Sequence, residues 1–255
     1  MPDRRVQIWG LVNRDRAQME RANIPPIIRS LNNQVKEAIE HFKRTGKLSE
    51  SDASLLIKEG DSFNMLHELW LKTGRKFAKA TFEALNGKSL KDFNLDNFNE
   101  AVVTYIKIGA ADKVSGITDT SKQKIINIIN KGVVDGLGIE EIARTLDKEI
   151  KALNRIRARA IARTETIAAS NFGSLQGAVL TGLELKKEWI NTLDDRTRGT
   201  DPSDEFDHTE KIDSVPKSQP FIVGGEELMF PGDSSLGASA GNTINCRCTL
   251  AFKRI

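Results

Sequence analysis

Two cysteines in 255 residues are too few to build a disulfide scaffold, so a folded chain of this kind must rest on a hydrophobic core. Aromatic residues are scarce, at 6% with a single tyrosine, which leaves little material for a platform of stacked nucleic-acid bases. Long hydrophobic runs are missing too. The longest uncharged stretch, Thr166 to Leu183, is broken by Ser, Asn, Gln, Thr and Gly and does not read as a membrane span. The opening MPDRRVQIWG has charges but no apolar core and no cleavage site, so no secretory signal is read. The expectation is a soluble protein made in a reducing cytoplasm. Charge of one sign is absent as well: 38 basic residues face 35 acidic ones, and a net charge of +3 tolerates nucleic acid without demanding it.

What is present is a globular composition, 39% hydrophobic, over a length that suits one large domain or two modest ones. The first two thirds carry helical periodicity. Ile27, Ile28, Leu31, Val35, Ile39 and Phe42 recur at three and four residues, with Pro25 and Pro26 read as opening that helix and Gly46 as ending it. Further helices are expected from about Asp52, from about Asp61 to Asn86-Gly87, and after Asn94. Another is expected after a capping box formed by Thr120 and Gln123. Gly136 and Gly138 mark a turn before Ile139, Ile142, Ala143, Leu146 and Ile150, and an alanine-rich helix runs from about Asn154 to Leu180. Gly173 and Gly177 form a GxxxG step that lets two helix backbones approach closely.

After Gly182 the texture changes. Leu183 to Leu193 alternates like a strand, with Leu183, Leu185, Trp189 and Leu193 as its apolar positions, and short strands are expected at 221–223, 227–230 and 246–252, separated by polar segments that hold four of the seven prolines. Gly224-Gly225 reads as a hairpin turn rather than a phosphate loop, because no Lys-Ser/Thr follows. The fold class read from this pattern is α+β: a mainly helical N-terminal two thirds with a small, loop-rich mixed α/β module at the C-terminal end. No internal repeat is visible.

The polar residues of that last third carry the chemistry. Cys246, Cys248 and His208 offer zinc three of its four ligands, with a carboxylate such as Asp195 or Asp213 as the fourth; the alternative, favoured on the sequence, is a pair of reduced thiols buried in the core. Asp194, Asp195 and His208 can be arranged as a metal-dependent hydrolase or nuclease, but an Asp-rich turn paired with Arg196 and Arg198 accounts for the same residues. Arg155, Arg159 and Arg163 recur every four residues and could track a phosphate backbone, or serve as a solvated or ion-paired face. An ion pair between Arg163 and Glu165 would anchor the C-terminal module to its helix.

The order of the motifs points further. IARTET and IAASN, then Gly182, Lys187 and Trp189, then DDRTR, His208, Asp213 with Pro216, PFIVGGEEL, FPGD and INCRC resemble the Mu F-like minor head proteins of tailed bacteriophages, also called head morphogenesis proteins. The resemblance runs from about Thr120 to Cys248. It implies three regions: a helical region 1–118 without a matching motif, a helical part of the minor head domain over 119–182, and a small β-rich module over 183–255. It also implies a structural rather than catalytic protein, low in copy, inside the head near the portal and in the host cytoplasm during assembly. The implied partners are the portal protein, with the major capsid or scaffolding protein and packaged double-stranded DNA as further ones, and no membrane. No cofactor is implied, zinc being the open alternative. Carried over by position are Arg163, Thr164, Glu165, Asn171, Trp189, Asp195, Arg196, Thr197, Arg198, His208, Gly225, Pro231, Gly232, Asn245, Cys246 and Cys248. Of these, Arg163, Glu165, Trp189, Asp195, Arg196, Arg198, His208 and Asn245 are expected to form a polar network that fixes the loops of the module. In the family pattern the histidine follows the Arg-Thr-Arg segment closely, whereas here TDPSDEFD intervenes and lengthens that loop. Some relatives carry an ADP-ribosyltransferase toxin domain after the shared region; this chain, ending soon after Cys248, is expected to carry none.

Overall fold

A computed structural model describes residues 4–87, 90–109, 111–191, 194, 197–209 and 212–255. The chain order is α1 (Arg4–Thr45), α2 (Glu50–Leu56), α3 (Glu59–Asn86), a 3-10 turn (Leu90–Asp92), α4 (Leu95–Gly109), α5 (Ala111–Val134), α6 (Ile139–Leu180), β1 (Leu185–Ile190), β2 (Val215–Pro216), β3 (Phe221–Val223), β4 (Glu226–Leu228), α7 (Ala240–Thr243) and β5 (Thr249–Arg254). The α+β class is as expected. Among the described residues no helix is long and apolar enough to cross a membrane.

Contacts divide the chain into two compact units: Met1–Arg21 with His67–Ala110 and Arg163–Ile255, and Ala22–Leu66 with Ala111–Ala162. The units draw on discontinuous segments because α1, α3 and α6 each contribute to both. Residue 118, where the sequence pattern suggests a boundary, falls inside α5, while Gly182 lies in the turn after α6.

The second unit is all helical. Its core joins Val35, Ala38, Ile39 and Phe42 of α1 with Ala53, Ile57, Ile125, Ile129, Ile142, Ala143, Leu146 and Ile150. A buried polar knot accompanies it: the Gln34 amide donates to Ser62 Oγ (2.8 Å) and Thr118 Oγ1 (3.2 Å), and its carbonyl accepts from Ser121 (3.0 Å). Ser49 and Asp52 form the capping box that starts α2.

Two local expectations are corrected. Pro25 and Pro26 do not open a helix; they sit inside α1, which runs unbroken from Arg4. Both prolines and the residues four back, Arg21 and Ala22, are exposed, so water can take up the two carbonyls that lose their intrahelical donors. Thr120 is not an N-cap: it lies within α5 and its hydroxyl donates to Gly116 O (2.7 Å), while the Gln123 amide donates to Asn127 (2.8 Å). The helix simply begins earlier, at Ala111.

In the first unit, the Gly173–Gly177 step of α6 faces α3 so closely that a Cβ on Gly173 would stand 2.2 Å from Gly74 O and one on Gly177 2.3 Å from Ala78 O. Trp70, Tyr105, Phe172 and Phe230 stack beside this contact, Trp70 on Tyr105 at 4.5 Å between ring centres and Tyr105 near Phe172 at 5.1 Å. Strands β2, β1 and β5 form an antiparallel sheet with β1 in the middle, and β3 and β4 form a hairpin closed by Gly224 and Gly225 at φ of 57° and 80°. Those left-handed values are what a tight two-residue turn requires.

The inner face of β1 carries Leu185, Lys187 and Trp189. Lys187 is fully buried; its ammonium donates to Met229 O and lies 4.7 Å from the Phe221 ring centre. Burial pushes its pKa down to about 8, against an opposing pull from Asp233. The unfolded chain keeps this amine charged up to its ordinary pKa near 10.4, so between pH 8 and that value it binds more protons than the folded chain, and stability rises with pH across the window. Lys187→Met is therefore expected to raise stability at pH 7 by about 1–3 kcal/mol. That gain shrinks as pH climbs from about 8 to about 10, read as converging melting temperatures of the two proteins.

Candidate functional site

Helix α7 ends at Thr243, and Asn245 adopts φ 59°, the one left-handed non-glycine among the described residues. Asparagine tolerates that conformation, and here it turns the chain into an extended segment leading to β5. The Asn245 N–H donates to Thr164 Oγ1 of α6 at 3.3 Å. Alternation then places Cys246 and Cys248 on one face and Arg247 on the other. Arg247 pairs with Asp194 at 2.9 Å and lies over the Trp9 ring, and both cysteines are buried free thiols.

His208 meets the two sulfurs. Its backbone N–H donates to Arg198 O (2.9 Å), and the Arg198 guanidinium donates to Asn242 O (3.1 Å) and to Ile244 O, which ties the loop to the end of α7. His208 Nδ1 lies 3.6 Å from Cys246 Sγ and 3.7 Å from Cys248 Sγ, and Nε2 is 2.6 Å from Asn242 Oδ1. The Asn242 amide nitrogen donates to Val223 O and Glu226 Oε2, both at 2.9 Å. Trp189 stands edge-on to the imidazole at 5.6 Å. The three donor atoms of His208, Cys246 and Cys248 all lie within 4.8 Å of one another, and no carboxylate joins them among the described residues.

Electrostatics follow from this crowding. The hydrogen bond from Cys248 and the neighbouring His208 hold the Cys246 thiol well below its ordinary pKa, while burial drives Cys248 well above its own. Burial opposes charge on His208, but its hydrogen bond and attraction to Cys246 outweigh this and raise its pKa. Two adjacent sulfurs cannot both ionise cheaply without a cation between them.

Behind the sulfurs lies a cation that sequence reasoning missed. Arg16 of α1 is buried and donates to Ser170 Oγ (2.6 Å), to Asn171 Oδ1, to Cys248 O (3.1 Å) and to Thr249 Oγ1 (3.1 Å). No carboxylate pairs with it among the described residues. Burial pushes its pKa down to about 9, against the attraction of Cys246 and Cys248. Asn171 completes the web by donating to Pro231 O and Cys248 O. Nearby Asp233 accepts from Tyr105 OH (3.1 Å) and from the N–H groups of Met229 and Ser235 (both 2.8 Å), so the Pro231-Gly232-Asp233 turn is held by a helix that lies early in the chain.

The expected site residues divide accordingly. Trp189, Arg198, His208, Asn245, Cys246 and Cys248 gather around one loop cluster. Glu165 does not pair with Arg163: it is buried and accepts from Trp70 Nε1 at 3.0 Å, whereas Arg163 reaches Glu20 at 3.5 Å. Two residues along a helix is a turn of about 200°, which points the two side chains to opposite sides, so the pair does not form. Arg155, Arg159 and Arg163 are exposed on α6. Asp213 is exposed and outside the His–Cys–Cys group, and Asp194 is turned to Arg247. Asp195 and Arg196 lie outside the described residues. A cavity of about 400 Å³ is lined by Arg16, Arg163, Arg247, Glu20, Asn13 and Asn245, among others, and each of its three arginines is already engaged by a partner named above.

Known proteins resemble part of this chain. A NAD(+)–arginine ADP-ribosyltransferase, EFV, from Enterococcus faecalis is 31% identical over 134 residues, 51% of this chain and 26% of that protein. The uncharacterized protein YqbB of Bacillus subtilis is 25% identical over 140 residues, 54% of this chain and 44% of its own length. The chain thus spans less than half the length of either relative. No solved structure matches it. The Phage Mu protein F like family matches residues 123–251, which take in α6, β1 to β4, the first half of β5 and the whole His–Cys–Cys cluster. On that match, half of its length, the chain belongs to the Phage Mu protein F like family, a family of phage head morphogenesis proteins.

Proposed function

We propose that this chain is a structural component of a tailed-phage head, held inside the procapsid at the portal, where it supports head assembly, DNA packaging or DNA delivery. The observation that carries the reading is the family match over residues 123–251. The chemistry of the site supports it. The polar groups that the match covers are spent on one another: Asn171, Asn242 and Asp233 are buried and bonded to backbone and side-chain partners, and Asp194 is neutralised by Arg247. A hydrolase would need its carboxylates turned toward a reacting centre instead. The activity in the name of the Enterococcus faecalis relative is assigned in this reading to the part of that protein lying beyond the 26% shared with this chain.

Partners follow from exposed chemistry. Arg155 and Arg159 are exposed and pair with no carboxylate among the described residues, so they are the groups of this chain that contact packaged DNA, through phosphate oxygens rather than bases. The portal protein is the main protein partner, with capsid or scaffolding protein beside it. Quantitative mass spectrometry of purified procapsids and filled heads tests the reading. The expected result is a few copies per head, released together with the portal when heads are dissociated. Absence from both particles, or a copy number matching the capsid shell, would overturn it.

A further inference from the structure

We infer that His208, Cys246 and Cys248 hold a zinc ion that clamps the long loop after Arg198 to the segment entering β5. The inference goes beyond the head-protein reading and stands or falls separately from it.

Geometry comes first. Zinc binds thiolate at about 2.3 Å and imidazole nitrogen at about 2.0–2.1 Å, which at a tetrahedral angle sets nitrogen and sulfur about 3.6 Å apart. The two observed separations are 3.6 and 3.7 Å.

The imidazole is also presented with the correct nitrogen. The carbonyl of Val223 is an acceptor and nothing else, so the Asn242 group that meets it is the NH2. The Asn242 oxygen therefore faces His208 Nε2, which must carry its proton, and Nδ1 is left to offer a lone pair to the site. A carboxylate stands behind this chain, since Glu226 accepts from the same Asn242 amide and from Ser239. Orientation of a ligand imidazole by a hydrogen-bonded outer shell is the usual support of a metal site.

A separate observation is a donor left unsatisfied beside the second sulfur. Trp189 Nε1 is buried and finds no hydrogen-bond partner of ordinary geometry among the described residues, and the group it approaches is the Cys248 sulfur. A neutral thiol is a weak acceptor for that N–H, whereas a metal-bound thiolate is a strong one. Two thiolates and one dication form a neutral unit, which removes the cost of burying two like charges side by side.

Two sulfurs and one nitrogen select zinc over magnesium or calcium. The described residues bring three donors to the ion and no carboxylate as a fourth. With His208, Cys246 and Cys248 only 1%, 4% and 1% exposed, the ion is structural.

The test uses the full chain, produced in zinc-supplemented medium and purified without chelator or thiol-reactive metal resin. Elemental analysis should find about one zinc per chain, and X-ray absorption should find two sulfur and two nitrogen or oxygen neighbours. Modification of the two thiols under native conditions should release the zinc in step with sulfur reacted. Cys246→Ser and Cys248→Ser should each lower zinc content at least about tenfold, and Asn242→Ala should weaken zinc binding by about 10–100-fold in competition with a chromogenic chelator. If the cysteine variants fail to fold, the unmodified chain decides. A folded chain with less than about a tenth of a zinc, a Cys246–Cys248 disulfide, or zinc with fewer than two sulfur neighbours would overturn the inference.

Discussion

Gly173→Leu is expected to abolish the native fold of the first unit, and Gly173→Ala to destabilise it by about 3 kcal/mol. The cause is the distance between two backbones. A Cβ at residue 173 would meet Gly74 O at 2.2 Å and Gly74 Cα at 2.8 Å, and neither atom can swing away as a side-chain tip can. To admit even a methyl, α3 and α6 must separate along the line that also holds Gly177 against Ala78. Separation would loosen the stack of Trp70, Tyr105 and Phe172 and the Trp70–Glu165 hydrogen bond. A loss of about 3 kcal/mol corresponds to roughly 6–12 °C in the melting temperature of a domain this size. Gly116→Ala is the internal control. Residue 116 is exposed in the second turn of α5 with nothing within 4 Å of its would-be Cβ, so alanine there should raise helix stability by about 0.5–1 kcal/mol. Thermal unfolding followed by circular dichroism checks both, and a Gly173→Ala protein as stable as the parent would show that the helices part without cost.

Much of this architecture was legible from local pattern. Apolar spacing located the helical segments, and Gly46, Gly87 and Gly136, read as stops or turns, all take positive φ at those points. The hairpin at Gly224-Gly225 and strand β3 were found because turn chemistry and alternation are both short-range signals. What sequence reasoning missed were choices of distant partner. A proline normally starts a helix or breaks one, and nothing local says that the carbonyls before Pro25 and Pro26 face water. Lys187 occupies an inward position of β1 and would have been found by trusting the alternation over the residue's charge. Arg16 left a similar trace. The buried stripe Ile27, Leu31, Val35 extends backwards through Asn23 and Met19 to Arg16 at steps of three and four, but the polar letters at 23 and 16 hid it. Of the candidate site, the His–Cys–Cys trio was named from residue type alone. Glu226 and Asn242 stood among the polar residues of the last third without a role, and Arg16 was not singled out, because all three matter only through contacts between residues distant in sequence.

Arg16 therefore supports the second large prediction: Arg16→Met should cost about 3–5 kcal/mol, and Arg16→Lys should recover less than half of it. The guanidinium serves Ser170, Asn171, Cys248 and Thr249 at once, in a planar fork that a single ammonium cannot imitate. Removing it leaves several buried acceptors without donors, each a penalty of about 1–3 kcal/mol when water cannot reach it. The effect should also be local. Hydrogen exchange should speed up at the amides of β5 and of α6 around Ser170, while amides in the core around Val35, Ile125 and Leu146 keep their protection. Equal loss of protection in both places would mean that Arg16 acts on the whole chain rather than on the segment leading to β5. The same argument bears on the family boundary. The match begins at residue 123, yet the groups it covers are completed by Arg16, Trp70 and Tyr105 from outside it, so a fragment of residues 123–255 should lack cooperative unfolding. Restoring cooperativity should require residues 4–109, because the N-terminal region supplies the donors that the matched region leaves unpaired.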